Sequence, residues 1–272
     1  MDARVALTLR AVAGLNPAQI AHAFLVTEPT MEKRLVRARA KIRNAGIPYR
    51  VPPANRLAER REGVLAVLYL LFTEGDSIIR RPLLVESIRL SRLLVELMPT
   101  DAESCGLLAL MLLQHARSDA RTDTYGELVT LENQDRSLWD PLAIDEALEM
   151  LRGLPPNPGR YELQARIAAC HAIAPTPAST DFERIAKLYS QLAAITPSPI
   201  VELSRAVAVA MSQGPDAGLA ILAIITGLDD YYLPPATRAD LLRRLGRPGD
   251  AAIEYERALD LAPSEVERRY LA

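Results

Sequence analysis

Thr30, Lys33 and Arg37, flanked by Arg34 and Lys41, set hydroxyl and cationic donors at helical spacing along one strip of the chain. Such a strip can neutralise phosphates with its charges, and its guanidinium groups can bridge the acceptor edge of guanine. Those donors need a rigid carrier. Met31, Leu35, Ala38 and Ile42 recur at i, i+4, i+7 and i+11, which is one face of a helix. At about 100° per residue the donors fall on the opposite face. Ahead of this helix, Ile20, Ala21 and Phe24 mark the apolar side of a shorter one, with Leu25-Val26-Thr27 as the turn between them. A short helix, a tight turn and a helix that is apolar behind and basic in front form the arrangement that enters a DNA major groove. Charge runs on helices are more often plain solvated faces. Here it is the apolar skeleton that raises the strip above that reading.

The local signals place the boundaries of these elements. A short amphipathic helix over 3–12 ends at Gly14, a usual helix-stop residue. Asn16 caps the next helix and Pro17 suits its first position; Thr27 caps the third, with Pro29 in its first turn. The three helices make a unit ending near Gly46. Three prolines between Gly46 and Pro53 then forbid a helix and favour an extended spacer. The predicted organisation is a helix-turn-helix head over 1–46, a proline-rich linker over 47–57 and an α-helical body over 58–272.

Charge follows that division. Residues 1–50 contain nine Lys/Arg and three Asp/Glu, while the remainder contains 23 and 31; the net charge is −2. A basic head on an acidic body implies that only the head meets nucleic acid. The chain has 272 residues, 49% of them hydrophobic and 5% aromatic, which suits helices packed on helices and excludes a disordered chain. No convincing run of alternating β-branched residues argues for strands, so the fold class is all-α. The longest apolar stretch, Val64–Phe72, is too short to span a bilayer. Cys105 and Cys170 lie far apart in helical contexts and read as small core residues in a reducing compartment. Together these features predict a cytoplasmic protein with no membrane partner.

The body reads as helix after helix, near 57–73, 82–98, 102–116, 141–153, 159–173, 181–195, 199–213, 215–226, 235–246, 248–262 and 264–271. Within it, 241–263 resembles the second half of a tetratricopeptide repeat, through Gly246, Ala251, Tyr255, Ala258 and Pro263. Ala217 and Ile221 echo Ala251 and Tyr255 thirty-four residues earlier, and Ser87, Ser91, Leu94 and Pro99 form a fainter trace. An ordinary helical bundle with accidental spacing is the competing reading.

Residues 117–140 interrupt this rhythm with a polar insertion that holds the one tryptophan, Trp139. Arg121 and Arg136 stand ready to pair with Asp123, Glu132 and Asp135, so the insertion reads first as a salt-bridged network, then, with Trp139, as a groove for a peptide or other partner, and last as a catalytic segment. Enzyme chemistry finds no purchase. His22, His115 and His171 are scattered, the latter two near helix ends where a cation suits the dipole. Neither cysteine has metal-ligand spacing, and the acids of 119–140 lack the loop spacing of a calcium site. No nucleophile elbow, phosphate loop or dinucleotide fingerprint is present. The expectation is a non-enzyme without metal or cofactor.

Residues 4–43 resemble region 4 of bacterial extracytoplasmic-function (ECF) sigma factors, through Gly14-Leu15, Ile20-Ala21, Thr30, Arg34-Leu35 and Arg37-Ala38-Arg39. The body resembles the subgroup with a tetratricopeptide-like C-terminal extension, through GIPYRVP (46–52), VLAVLYLLFTEG (64–75), LLALMLL (107–113), RTDTYGELVTLENQDRSLWD (121–140) and ADLLRRLGR (239–247). The resemblance implies that the head reads the −35 promoter element and that RNA polymerase core is a partner. It carries DNA contact to Thr27, Glu28, Thr30, Glu32, Lys33, Arg34 and Arg37. Leu25 stands where the family's turn usually has Gly. Region 2, which in this family binds core polymerase and melts the −10 element, is missing, so the chain is expected to be the C-terminal part of a longer sigma factor; a naturally shortened protein is the alternative. The extension is expected to regulate in cis, by docking on the head. A helical-repeat interaction module without DNA binding of its own is the competing function.

Overall fold

In a computed structural model of the chain, the described residues are 2–12, 14–24, 26–45, 57–75, 81–124, 127, 129–263 and 265–271. Among them the fold is all-α, with no strand. The chain divides into two compact units, Met1–Leu108 and Ala109–Ala272.

The first unit holds α1 (Asp2–Val12), α2 (Pro17–Ala23), α3 (Glu28–Asn44), α4 (Leu57–Gly75), α5 (Arg81–Leu97) and the start of α6 (Ala102–His115). Gly14, at φ 68°, turns the chain after α1 in a region open to glycine at little cost. The start of α2 is a capping box: Asn16 Oδ1 accepts from the Gln19 amide at 2.8 Å, and Gln19 Oε1 accepts from the Asn16 amide at 2.6 Å. Thr27 holds the N-cap position of α3 but does not cap it. Its hydroxyl instead lies 2.9 Å from that of Thr30.

Val5, Leu9, Leu15, Ile20, Met31 and Leu35 form one buried cluster with Leu71 of α4, and Val67, Leu70 and Leu83 pack around it. The core of the three-helix head therefore continues into α4 and α5. The sequence division at 46–58 falls inside this unit, and its proline-rich stretch and Leu25 lie outside the described residues. Asp101 joins α4 to the start of α6: Oδ1 accepts from Arg61 Nη1 at 2.5 Å, and Oδ2 accepts from the Ser104 amide at 3.0 Å.

The second unit takes up α6 and continues with α7 (Pro141–Arg152), α8 (Arg160–Ala172), α9 (Phe182–Ile195), α10 (Pro199–Gln213), α11 (Pro215–Leu222), α12 (Leu233–Arg244), α13 (Pro248–Leu261) and α14 (Glu265–Leu271). Successive helices pack on one another: α8 on α9, α9 on α10, α10 on α11 and α12 on α13. Proline opens α7, α10, α11 and α13, where its missing amide costs nothing. The turn after α12 uses Gly246 at φ 71°, with Gly246 N donating to Arg243 O and Arg247 N to Leu242 O, the paired bonds of a Schellman motif. The helix expected over 235–246 thus runs two residues earlier, and that expected over 215–226 stops at Leu222 before a turn through Gly227. Small residues permit the close approaches. Ala251 and Ala258 are buried, and a Cβ on Gly218 would sit 2.5 Å from Ala210 Cβ.

Candidate functional site

α3 carries the first candidate surface. Its inner face anchors through Met31 and Leu35, which are 1% and 4% exposed. Burying two such side chains stabilises the helix by about 1.5–3 kcal/mol each. The expected apolar stripe does not stay buried along its length, since Ile42 is 45% exposed. The first two turns are therefore held in the core while the last stands free of it. Thr27, Glu28, Thr30, Glu32, Lys33, Arg34 and Arg37 are all exposed, and so are Arg39, Lys41 and Arg43. No carboxylate among the described residues pairs with any of these six cations. Glu28 sits in the first turn and Lys41 and Arg43 in the last, matching the helix dipole at both ends. Lys33, Arg34, Arg37 and Lys41 fall together on the outward side, with charges available to an anionic partner, while Arg39 and Arg43 lie on the other flank beside Glu28 and Glu32.

The polar insertion is built differently. It is ordered mainly by backbone and capping bonds. Val129 N donates to Arg121 O at 2.9 Å and Asp123 N to Glu127 O at 3.0 Å, drawing the two sides of the loop together. Its acids act locally. Asp123 Oδ1 accepts from the Glu127 amide, Asp135 Oδ1 from the amide and hydroxyl of Ser137, and Asp140 Oδ1 caps α7 through Leu142 and Ala143. These caps hold Asp135 below the ordinary carboxylate range, the Ser137 hydroxyl contributing most.

Arg136 does not make the carboxylate pair expected of it. Its Nη1 donates to His171 O at 2.7 Å and Ala174 O at 2.9 Å, closing the C-terminal end of α8. Its guanidinium lies 4.5 Å from the centre of the buried Trp139 ring. Carbonyls at a helix C-terminus carry the negative end of the dipole, which explains why a cation serves there without a carboxylate. Burial lowers the Arg136 pKa.

His171, in the last turn of α8, is also changed by this arrangement. Burial, reinforced by the Arg117 and Arg136 charges, lowers its pKa to about 4. It is therefore neutral at pH 7 and cannot be the cationic dipole partner expected from its position. His171 packs edge-on against Phe182, with ring centres 5.8 Å apart.

These residues border a cavity of about 740 Å³ in the second unit, which also reaches α9, α10 and Arg244 of α12. Of the insertion residues singled out in the sequence, Glu132 and Arg136 line it and Trp139 lies behind Arg136. Arg121, Asp123 and Asp135 do not line it. Sequence reasoning missed the wall that α9 and α10 supply: Ile185, Tyr189, Val207 and Met211 look like plain helical positions. It also missed the fully buried Glu162, which pairs with Arg166 at 2.6 Å, while Arg166 reaches back to Leu151 O at 3.1 Å. The i, i+4 spacing of that pair is visible in the sequence, but its burial is not.

Residues 60–154 match a family of unknown function (DUF6596), a span running from α4 through the insertion to the end of α7. The chain is also similar to Uncharacterized protein R00370 of Rhizobium meliloti (strain 1021), with 45% identity over 277 residues. That alignment covers 98% of this chain and 66% of the relative, so the chain spans just under two thirds of the relative's length. No solved structure matches.

Proposed function

We propose that the chain is part of an ECF sigma factor, with α3 as the recognition helix for a −35 promoter element and the remaining helices as a tetratricopeptide-like regulatory extension. One observation carries the reading: α3 exposes Thr30, Lys33, Arg34, Arg37 and Lys41 together along its outward side, with no carboxylate among the described residues paired to these cations, while Met31 and Leu35 lock the helix from behind. A surface helix that serves only solubility would gain from i, i+4 partners of opposite sign, and this one has few. Thr27 and Thr30 suit phosphate oxygens, and Lys33, Arg34 and Arg37 suit phosphates or guanine edges. RNA polymerase core is the protein partner under this reading, and the site of action is the cytoplasm.

The test is selection from a random duplex pool followed by fluorescence-anisotropy titration at several salt concentrations. An enriched motif should emerge, and Lys33→Ala with Arg37→Ala should weaken its binding by about 1–3 kcal/mol for each base-reading side chain removed. Unchanged affinity across the salt series would sink the proposal and favour an interaction module without DNA binding.

A further inference from the structure

The cavity bordered by the insertion has the size and chemistry of a small-ligand site. Its volume of about 740 Å³ falls within the range of ligand pockets, roughly 300–1,000 Å³. The walls are mainly apolar, with Leu131, Phe182, Ile185, Val207 and Met211 contributing. A few polar groups interrupt them. Tyr189 is hydrogen-bonded to Ser204 and neutral, its hydroxyl pKa raised by burial. His171 presents an uncharged imidazole.

The charges are unequal in kind. Arg244 is already paired with Asp240 at 2.7 Å, and Glu132 is exposed. Arg136 is partly buried and has no carboxylate partner among the described residues. Its Nη1 is taken by two carbonyls, its face by Trp139, and its buried Nε has no hydrogen-bond partner. Carbonyl dipoles offset only part of a full positive charge, so the cavity keeps a local excess of positive potential beside an apolar wall. An anion with an apolar body satisfies both features, whereas a peptide would bring its own backbone polar groups against aliphatic walls with little to pair them.

We infer that this cavity binds a small amphipathic carboxylate, with the carboxylate directed to Arg136 and the apolar body lying along Phe182, Val207 and Met211. The inference is independent of DNA binding by α3.

Decanoate is the probe, with decanol and decylammonium as uncharged and cationic counterparts, each below its aggregation concentration. Calorimetric titration of the whole chain should show decanoate binding at least tenfold tighter than decanol, with decylammonium weaker still. Trp139 is the one tryptophan and stacks on Arg136, so its fluorescence should change with decanoate in the same titration range. Val207→Glu places an anion on a wall position that is 39% exposed, so the fold tolerates it. It should weaken decanoate at least tenfold. Arg136→Gln keeps an amide donor for the α8 carbonyls and should abolish the preference for decanoate over decanol. Equal binding of decanoate and decanol, no binding of either, or undiminished decanoate binding in Val207→Glu would each overturn the inference.

Discussion

On α3, Lys33, Arg34, Arg37, Arg39, Lys41 and Arg43 stand exposed, whereas Arg136 in the second unit is half-buried, stacked on Trp139 and bonded to two carbonyls. The residue type is nearly the same and the physical role is opposite. An exposed cation contributes little to folding, because water solvates it as well as a surface partner would. It is therefore free to serve an external phosphate. A desolvated guanidinium must be compensated inside the protein, and once it is, the fold depends on it. Charge content alone cannot distinguish these cases. What distinguishes them is whether the element behind the cation is anchored by its own apolar face, as α3 is through Met31 and Leu35, or is itself held by the cation.

The largest expected effect tests the internal half of this contrast. Arg136→Ala removes two charge-assisted hydrogen bonds to the end of α8 and the stack on Trp139. Hydrogen bonds to charged groups contribute about 1.5–3 kcal/mol each, and some of that is recovered by water reaching the carbonyls, so a loss of about 3 kcal/mol is expected. Urea unfolding followed by far-ultraviolet circular dichroism measures it. A loss below about 1 kcal/mol, the scale of an ordinary surface substitution, would place Arg136 in the same class as the α3 cations.

A second, smaller effect follows from the same corner. His171 is lowered to about 4 by burial first and by Arg117 and Arg136 after it. In the unfolded chain a histidine titrates near 6.5. Between those values the unfolded chain holds a proton that the folded one does not. Acid therefore favours unfolding: the contribution of neutral His171 is fully present above about pH 6.5 and is lost as pH falls toward 4. A shift from about 6.5 to about 4 corresponds to at most about 3 kcal/mol, and the partial exposure of His171 brings the expected loss to about 2 kcal/mol; His171→Asn should flatten that limb of the stability profile. A profile with the same slope in both proteins would show that the imidazole is better solvated than its setting between Arg117, Arg136 and Phe182 implies.

The helices were largely legible in advance because their ends are local. Pro141, Pro199, Pro215 and Pro248 each open a helix, and Gly246 closes one through a positive φ that only its own neighbours determine. The cap at Asn16 was readable for the same reason. Thr27 shows the limit even at short range, since its hydroxyl had two nearby options and took Thr30. The fate of Arg136 was not legible. Its carbonyl partners lie 35 and 38 residues away, and nearer acids made the more obvious pairing. The cavity is similarly remote from any local pattern, because its lining runs from Leu131 to Arg244. The basic side of α3 was readable as a strip because a single helix sets its geometry. The exposure of Ile42 was not, since that depends on where the neighbouring core ends.

The smallest stability effect belongs to α3. Lys33→Ala and Arg37→Ala remove exposed charges with no ion-pair partner among the described residues, and alanine is the better helix former. Each substitution should change folding stability by no more than about 0.5 kcal/mol. The same double variant should lower the dependence of DNA affinity on salt. Each phosphate neutralised by a side chain adds a slope of about −0.9 in log K against log salt concentration, so removing two such cations should flatten the slope by about two. A variant that unfolds more easily yet keeps the original slope would invert the comparison, making these cations part of the fold and leaving α3 without the charges it needs for DNA. Retained stability with a flattened slope is the outcome expected of a face whose charges serve something outside the chain.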